Sequence, residues 1–107
     1  MLPAPTYLIR AARDADAPAL RRLAYLDEQD PLTGRVLLGE IDGVPAAAIS
    51  IDERRIVADP FQGSSALRVH LRVRAAALEA SERTPSLADR IRAALRGDRL
   101  AGYALKA

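Results

Sequence analysis

The chain has 107 residues, half of them apolar, and carries 16 basic against 14 acidic side chains for a net charge of +2. That length fits one ordinary domain and no second core, and so small a positive excess lacks the dense basic footprint of a dedicated nucleic-acid-binding module. The absence of cysteine excludes disulfides, thiolate metal sites and thiol nucleophiles, and a single His cannot build a multi-histidine metal centre.

Alanine accounts for 22 residues and the aromatics for only 4%, so the core has to be built from Leu, Val and Ile. Fifteen Arg against one Lys, with so much Ala, is the compositional mark of a high-GC bacterial genome. No basic-then-apolar leader opens the sequence, and no run approaches the ~18 apolar residues of a membrane span, so a cytoplasmic protein without membrane partners is expected.

Past Pro3 and Pro5, Tyr7 to Ala11 places bulky and branched residues in extended spacing and reads as a first strand. Asp14 and Asp16 supply capping carboxylates and Pro18 suits a first helical turn. A helix is therefore predicted from Ala17 to about Glu28, with Leu20, Leu23, Ala24 and Asp27 on one face. Asp30-Pro31 and Gly34 end the helical region. Val36 to Ile41 and Val44 to Ile51 flank Asp42-Gly43, a pair that readily takes the positive backbone angles of a tight hairpin, and predict two antiparallel strands. A turn at Asp52-Glu53 leads to a third meander strand over Arg54 to Ala58, closed by Asp59-Pro60 and expected to leave an open sheet edge.

Ser64 or Ser65 can cap a long second helix reaching about Ala80. Plotted at about 100° per residue, it shows two apolar stripes. Leu67, Leu71, Ala75 and Leu78 form one, and Ala66, Val69, Val73, Ala76 and Ala80 form another nearly opposite. One stripe can cover a sheet; the other calls for the C-terminal tail or a second subunit. After Thr84-Pro85, Ser86 and Asp89 resemble a capping box for a short helix with Leu87, Ile91, Ala94 and Leu95 on one face, and Gly97 can stop it. The last residues, Asp98 to Ala107, include Leu100, Tyr103 and Leu105. Residues 81 to 107 hold 6 basic and 3 acidic groups, against 10 and 11 in residues 1 to 80, which sets the tail apart.

This order of elements resembles the N-terminal half of the GNAT superfamily of N-acetyltransferases over about residues 7 to 80. Ile9-Arg10-Ala11-Ala12 with Asp16 and Pro18-Ala19-Leu20 is similar to the family's opening I-R-x-A-T-x-x-D strand and helix, with Arg13 at the customary Thr. Val36 through Ile51 is similar to its second and third strands joined at Asp-Gly. The family grips acetyl-CoA pyrophosphate on a Q/R-x-x-G-x-G/A loop before a helix, where backbone amides and the helix dipole favour an anion. Here Gln62 matches the leading position and Gly63 the next, while Ser65 and Leu67 stand at the glycine positions. The resemblance therefore implies a truncated acetyltransferase-like fold with a degenerate cofactor loop, whose binding residues would be Gln62, Gly63, Ser64 and Ser65. The later strands and the general-acid Tyr of the family have no counterpart, and Tyr103 takes no such role.

Among individual residues, Gln62 to Ser65 read first as an ordinary N-cap. His70 reads as a solvated seam residue nearest Arg74, with no Ser or Cys placed to pair with it. Asp27, Glu28 and Asp30 read as a solubilising helix end that an enzyme would offer to an amine. Glu40, Asp42, Asp52 and Glu53 mark strand ends and turns, and Arg90, Arg92, Arg96 and Arg99 the polar side of the small helix.

The expected fold is α+β: a mainly antiparallel sheet of about four strands with two main helices and a C-terminal helix, residues 1–80 forming a half domain and 81–107 a helical tail. The expected function is a non-catalytic interaction or dimerisation module, a homodimer or one held to a protein partner. The alternative is an acetyl-CoA-dependent N-acetyltransferase acting on an unknown amine.

Overall fold

The Asp42–Gly43 hairpin organises the sheet. Both residues take positive φ, 50° and 83°, the left-handed pair that a type I′ connection requires. Strands β2 (Val36–Ile41) and β3 (Val44–Ser50) run antiparallel on either side of it. β1 (Tyr7–Ala11) pairs antiparallel with β2, and β4 (Arg55–Ala58) with β3 after a turn in which Arg54 has φ 55°. The result is a four-stranded antiparallel sheet in the order β1-β2-β3-β4. It is the α+β architecture read from the sequence. The computed structural model describes residues 4–83, 90–92 and 94–95. The chain falls into two units, Met1–Ala77 and Leu78–Ala107.

A 3-10 turn (Asp14–Asp16) leads into α1 (Ala17–Leu26), with Pro18 in its first turn. The helix stops two residues before its predicted end. Glu28 N–H donates to Tyr25 C=O at 3.2 Å and Gln29 N–H to Ala24 C=O at 2.9 Å, the two bonds of a Schellman cap, with Glu28 at φ 52° where glycine usually sits. α2 (Ser65–Arg83) is the second long helix.

Strand periodicity sends alternate residues to opposite faces. Leu38, Ala48 and Val57 pack with Leu20, Leu23 and Ala24 of α1 on one face. Leu37, Ala47, Ile49 and Ala58 pack with Leu67, Leu71 and Ala75 of α2 on the other. The register shifts between Gly39 and Glu40, which pair with Ala47 and Pro45, so Ala46 is an extra residue on β3. The bulge explains how a proline sits in a central strand, and why Ala46 and Ala47 both join the α2-side cluster.

Ala and Gly at the sheet centre let α2 come close. A Cβ added at Gly39 would lie 2.8 Å from Leu67 Cδ1, and Leu67 and Leu71 are fully buried. Leu78, placed by the sequence in the same stripe, belongs to the second unit and is exposed. In that unit residues 90–92 and 94–95 are helical, and Ile91 and Leu95 are exposed. Ser86, Leu87, Asp89, Gly97 and the last residues with Leu100, Tyr103 and Leu105 lie outside the described residues.

Urea denaturation should show Leu67→Ala losing about 2–5 kcal/mol through lost burial and the cavity left behind. Gly39→Ala should lose about 1–3 kcal/mol by overpacking. In the double variant the methyl group added at position 39 enters the space Leu67 vacated, so the combined loss should fall short of the sum. Strict additivity would show that the two do not touch.

Candidate functional site

The β4–α2 connection is built around Asp59, whose side chain is only 3% exposed. Its main-chain N–H donates to Ala46 C=O at 2.8 Å, its Oδ1 accepts the Phe61 N–H at 2.8 Å, and its C=O accepts the Gln62 N–H at 3.3 Å. Arg22 reaches Oδ2 at 3.3 Å. Phe61 is left pointing outward and exposed.

The four residues named from the sequence divide. Gly63, Ser64 and Ser65 line a small cleft of about 220 Å³ at the start of α2, with Ser64 buried, while Gln62 is half-buried and does not line it. Asp27, Asp59 and Arg68 help to complete the lining. Asp27 Oδ2 accepts the Ala58 N–H at 3.0 Å and Gln29 Nε2 at 2.8 Å, and the Arg68 guanidinium stands 3.8 Å away. Arg68 Nε is buried without a hydrogen-bond partner. Two carboxylates in so small a space oppose a polyphosphate, and two of the loop's amides, those of Phe61 and Gln62, already donate to Asp59.

The acidic cluster after α1 is split by the Schellman turn. Asp27 turns to β4, while Glu28 and Asp30 line an open cleft of about 810 Å³ with Tyr25, Glu53 and Arg55. Arg55 is heavily engaged there: it donates to Gln29 Oε1 at 3.2 Å, to the Asp30 C=O at 2.7 Å and to the Pro31 C=O at 3.0 Å.

A third concavity was not foreseen. His70 on α2 lies with its ring centroid 6.4 Å from that of Tyr7 on β1. Together with Leu8, Ile9, Val73 and Arg74 they line a groove of about 450 Å³. Sequence spacing paired His70 with Arg74 along the helix; the approach of Tyr7, far off in the sequence, needs the assembled sheet.

Asp16, Glu40, Asp52 and Glu53 bond within the fold. Arg10 forks onto Asp16 at 2.7 and 2.8 Å and reaches Glu40 at 3.4 Å, and Asp16 also accepts the Arg13 N–H at 2.7 Å. The Arg10 bond, followed by that from the Arg13 amide, holds the Asp16 carboxyl far below the ordinary range, and the same bond pushes Arg10 up. The Arg35 N–H at 2.8 Å, then its side chain, lowers Asp52. The Thr33 N–H at 2.6 Å is the first cause of a lowered Glu53, with Arg55 assisting. Among the described residues no group of three or more His, Asp or Glu could hold a metal ion, and no helix is long and apolar enough to cross a membrane.

Comparison of the chain with protein-family models, with curated proteins and with solved structures finds no match.

Because Asp16, Asp52 and Glu53 are depressed in the folded state, each contributes stability that is whole above its ordinary value, near 3.9 for Asp and 4.3 for Glu, and lost as pH falls through the folded value. Urea midpoints should therefore hold from neutrality to about pH 5 and fall steeply below about pH 4. Asp16→Asn should lower the neutral midpoint and make the acid fall shallower. An unchanged acid limb in that variant would remove Asp16 from the account.

Proposed function

We propose that the protein is a non-catalytic interaction module on an acetyltransferase-like half-fold, and that it self-associates through the outer face of α2. The observation that carries this reading is the exposure of Val69 and Val73, 60% and 61%, on a helix that buries Leu67 and Leu71 completely on its other side. Ala66 and Ala76, also exposed, extend the stripe and keep it low enough for another helix to approach.

A second copy suits this surface by charge. Beyond Arg68, which turns to Asp27, α2 carries Arg72 and Arg74 in its first half and Glu79, Glu82 and Arg83 in its second. An antiparallel copy related by a two-fold axis sets each half against its opposite and aligns the helix dipoles favourably. The likeness to the acetyltransferases is supported by the order strand, helix, hairpin, strand, helix. Against a working cofactor site stand Ser65 and Leu67 at the family's glycine positions, together with the Asp27 and Asp59 carboxylates in the cleft.

Light scattering at high protein concentration should give twice the 11.5 kDa chain mass. Val69→Glu with Val73→Glu should return the single mass with an unchanged circular dichroism spectrum. A single mass for the parent chain at every concentration overturns self-association. Acetyl-CoA titrated to millimolar levels should leave the Gln62 to Ala66 amide resonances in place, whereas saturable shifts confined to those amides would restore the acetyltransferase reading.

A further inference from the structure

The two edges of the sheet are finished differently. The sequence pointed to the third meander strand as the open edge, yet β4 is closed by side chains that follow α1: Gln29 Nε2 donates to the Ile56 C=O at 3.0 Å and Asp27 Oδ2 accepts the Ala58 N–H at 3.0 Å. These are the groups an incoming strand would need.

β1 has no such cover. Asp42 N–H donates to the Thr6 C=O at 2.8 Å and Ala12 N–H to the Val36 C=O at 2.9 Å, which fixes the phase of the β1–β2 ladder. Thr6, Leu8, Arg10 and Ala12 turn their main-chain groups toward β2, and Tyr7, Ile9 and Ala11 turn theirs to the free edge. The Ala11 C=O takes a long bond from Arg10 at 3.4 Å. The N–H and C=O groups of Tyr7 and Ile9 have no partner among the described residues.

Beside this edge runs the groove between β1 and α2. Tyr7, Ile9 and Val73 give it an apolar floor and wall, with Leu8 at its border; His70 and Arg74 give it polar heads; no carboxylate among the described residues lines it. The Arg74 guanidinium has no partner among the described residues. Alternate side chains of an added strand fall on the α2 side, so residues two apart would enter the groove together.

We propose that the free edge of β1 accepts an extended, acidic peptide segment of a partner protein as a fifth strand. Its main chain bonds to Tyr7 and Ile9. One apolar side chain seats against Ile9 and Val73, and a carboxylate two positions away meets Arg74 and His70. Charge favours such a segment over a second copy at this edge, because β1 itself, Tyr7 to Ala11, carries no carboxylate to meet Arg74. The surface shares Val73 with the outer stripe of α2 but takes its main-chain bonds from β1, so strand addition is tested at β1 and self-association at Val69.

The test is selection of a displayed library of random peptides on the whole chain, with each winner then synthesised and titrated by calorimetry and amide NMR. Winners should carry an apolar residue two positions from an Asp or Glu and shift the Tyr7 and Ile9 amides. Affinity should drop about tenfold or more in Arg74→Glu, and a peptide with Lys for its acid should recover binding to that variant. Tyr7→Pro, which removes an outward N–H at a strand's first residue where proline is tolerated, should weaken every winner, while Val69→Glu, outside the groove lining, should leave the preference of every winner for its acid over Lys unchanged. Winners without the acidic pattern, an Arg74→Glu variant that binds as well as the parent, or shifts away from β1 would each overturn the proposal. So would loss of the chain's own dimer in Tyr7→Pro, which would assign the edge to a second copy.

Discussion

The seat of α2 on a sheet centre almost free of side chains sets the rest of the molecule. Gly39, Ala46, Ala47 and Ala58 leave room for Leu67 to press against the β2 backbone, and Leu71 and Ala75 follow along the same line. A helix that close is fixed in rotation, because turning it by one residue would replace Leu67 with Arg68 or Ala66 over Gly39. Fixing the inner stripe also fixes what faces out. Val69 and Val73 cannot reach the sheet, and His70 and Arg74 must stand beside β1. The abundance of alanine is thus a device for close packing, with Leu23, Leu38, Leu67 and Leu71 filling the space that remains.

Carboxylates hold the connections in place around that core. Among the described residues Asp16 accepts a main-chain N–H from Arg13, Asp27 from Ala58, Asp42 from Thr6, Asp52 from Arg35, Glu53 from Thr33 and Asp59 from Phe61. Each bond ties a loop or strand end whose amide would otherwise need water. Of the positive side chains of α2, Arg68 turns to Asp27, whereas Arg72 and Arg74 project from exposed positions next to apolar surface.

The strands, both long helices and the hairpin were legible because each is dictated within a short stretch: Asp42-Gly43 for the turn, Pro18 for the start of α1, a 3.6-residue period for α2. So was the second stripe of α2, whose members Ala66, Val69, Val73, Ala76 and Ala80 are all exposed. What escaped depends on residues far apart or on an exception to a local rule. Glu28 ends α1 in a conformation normally left to glycine, and that cap divides Asp27 from Glu28 and Asp30 although they are near neighbours in sequence. The bulge at Ala46 follows from the register with β2, which no single strand encodes. The Gln62 to Ser65 loop was legible as a helix start; that two acids from other elements share its cleft was not. The closed edge of β4 and the open edge of β1 likewise emerge only when Asp27, Gln29 and the sheet are brought together.

Were both proposed surfaces occupied, one helix would serve two associations. Val73 stands at the boundary, part of the outer stripe and part of the groove wall. A second copy packed on Val69 and Val73 would cover the Val73 side of the groove. A strand added to β1 would in turn order the Val73 side chain from below. Two ligands that share a side chain but not their main contacts are linked thermodynamically, and whatever one does to the affinity of the other must be returned in equal measure. The sign of that linkage rests on whether Val73 takes the same rotamer in both associations. A β-branched side chain offers few rotamers on a helix, so both associations would meet Val73 in much the same position.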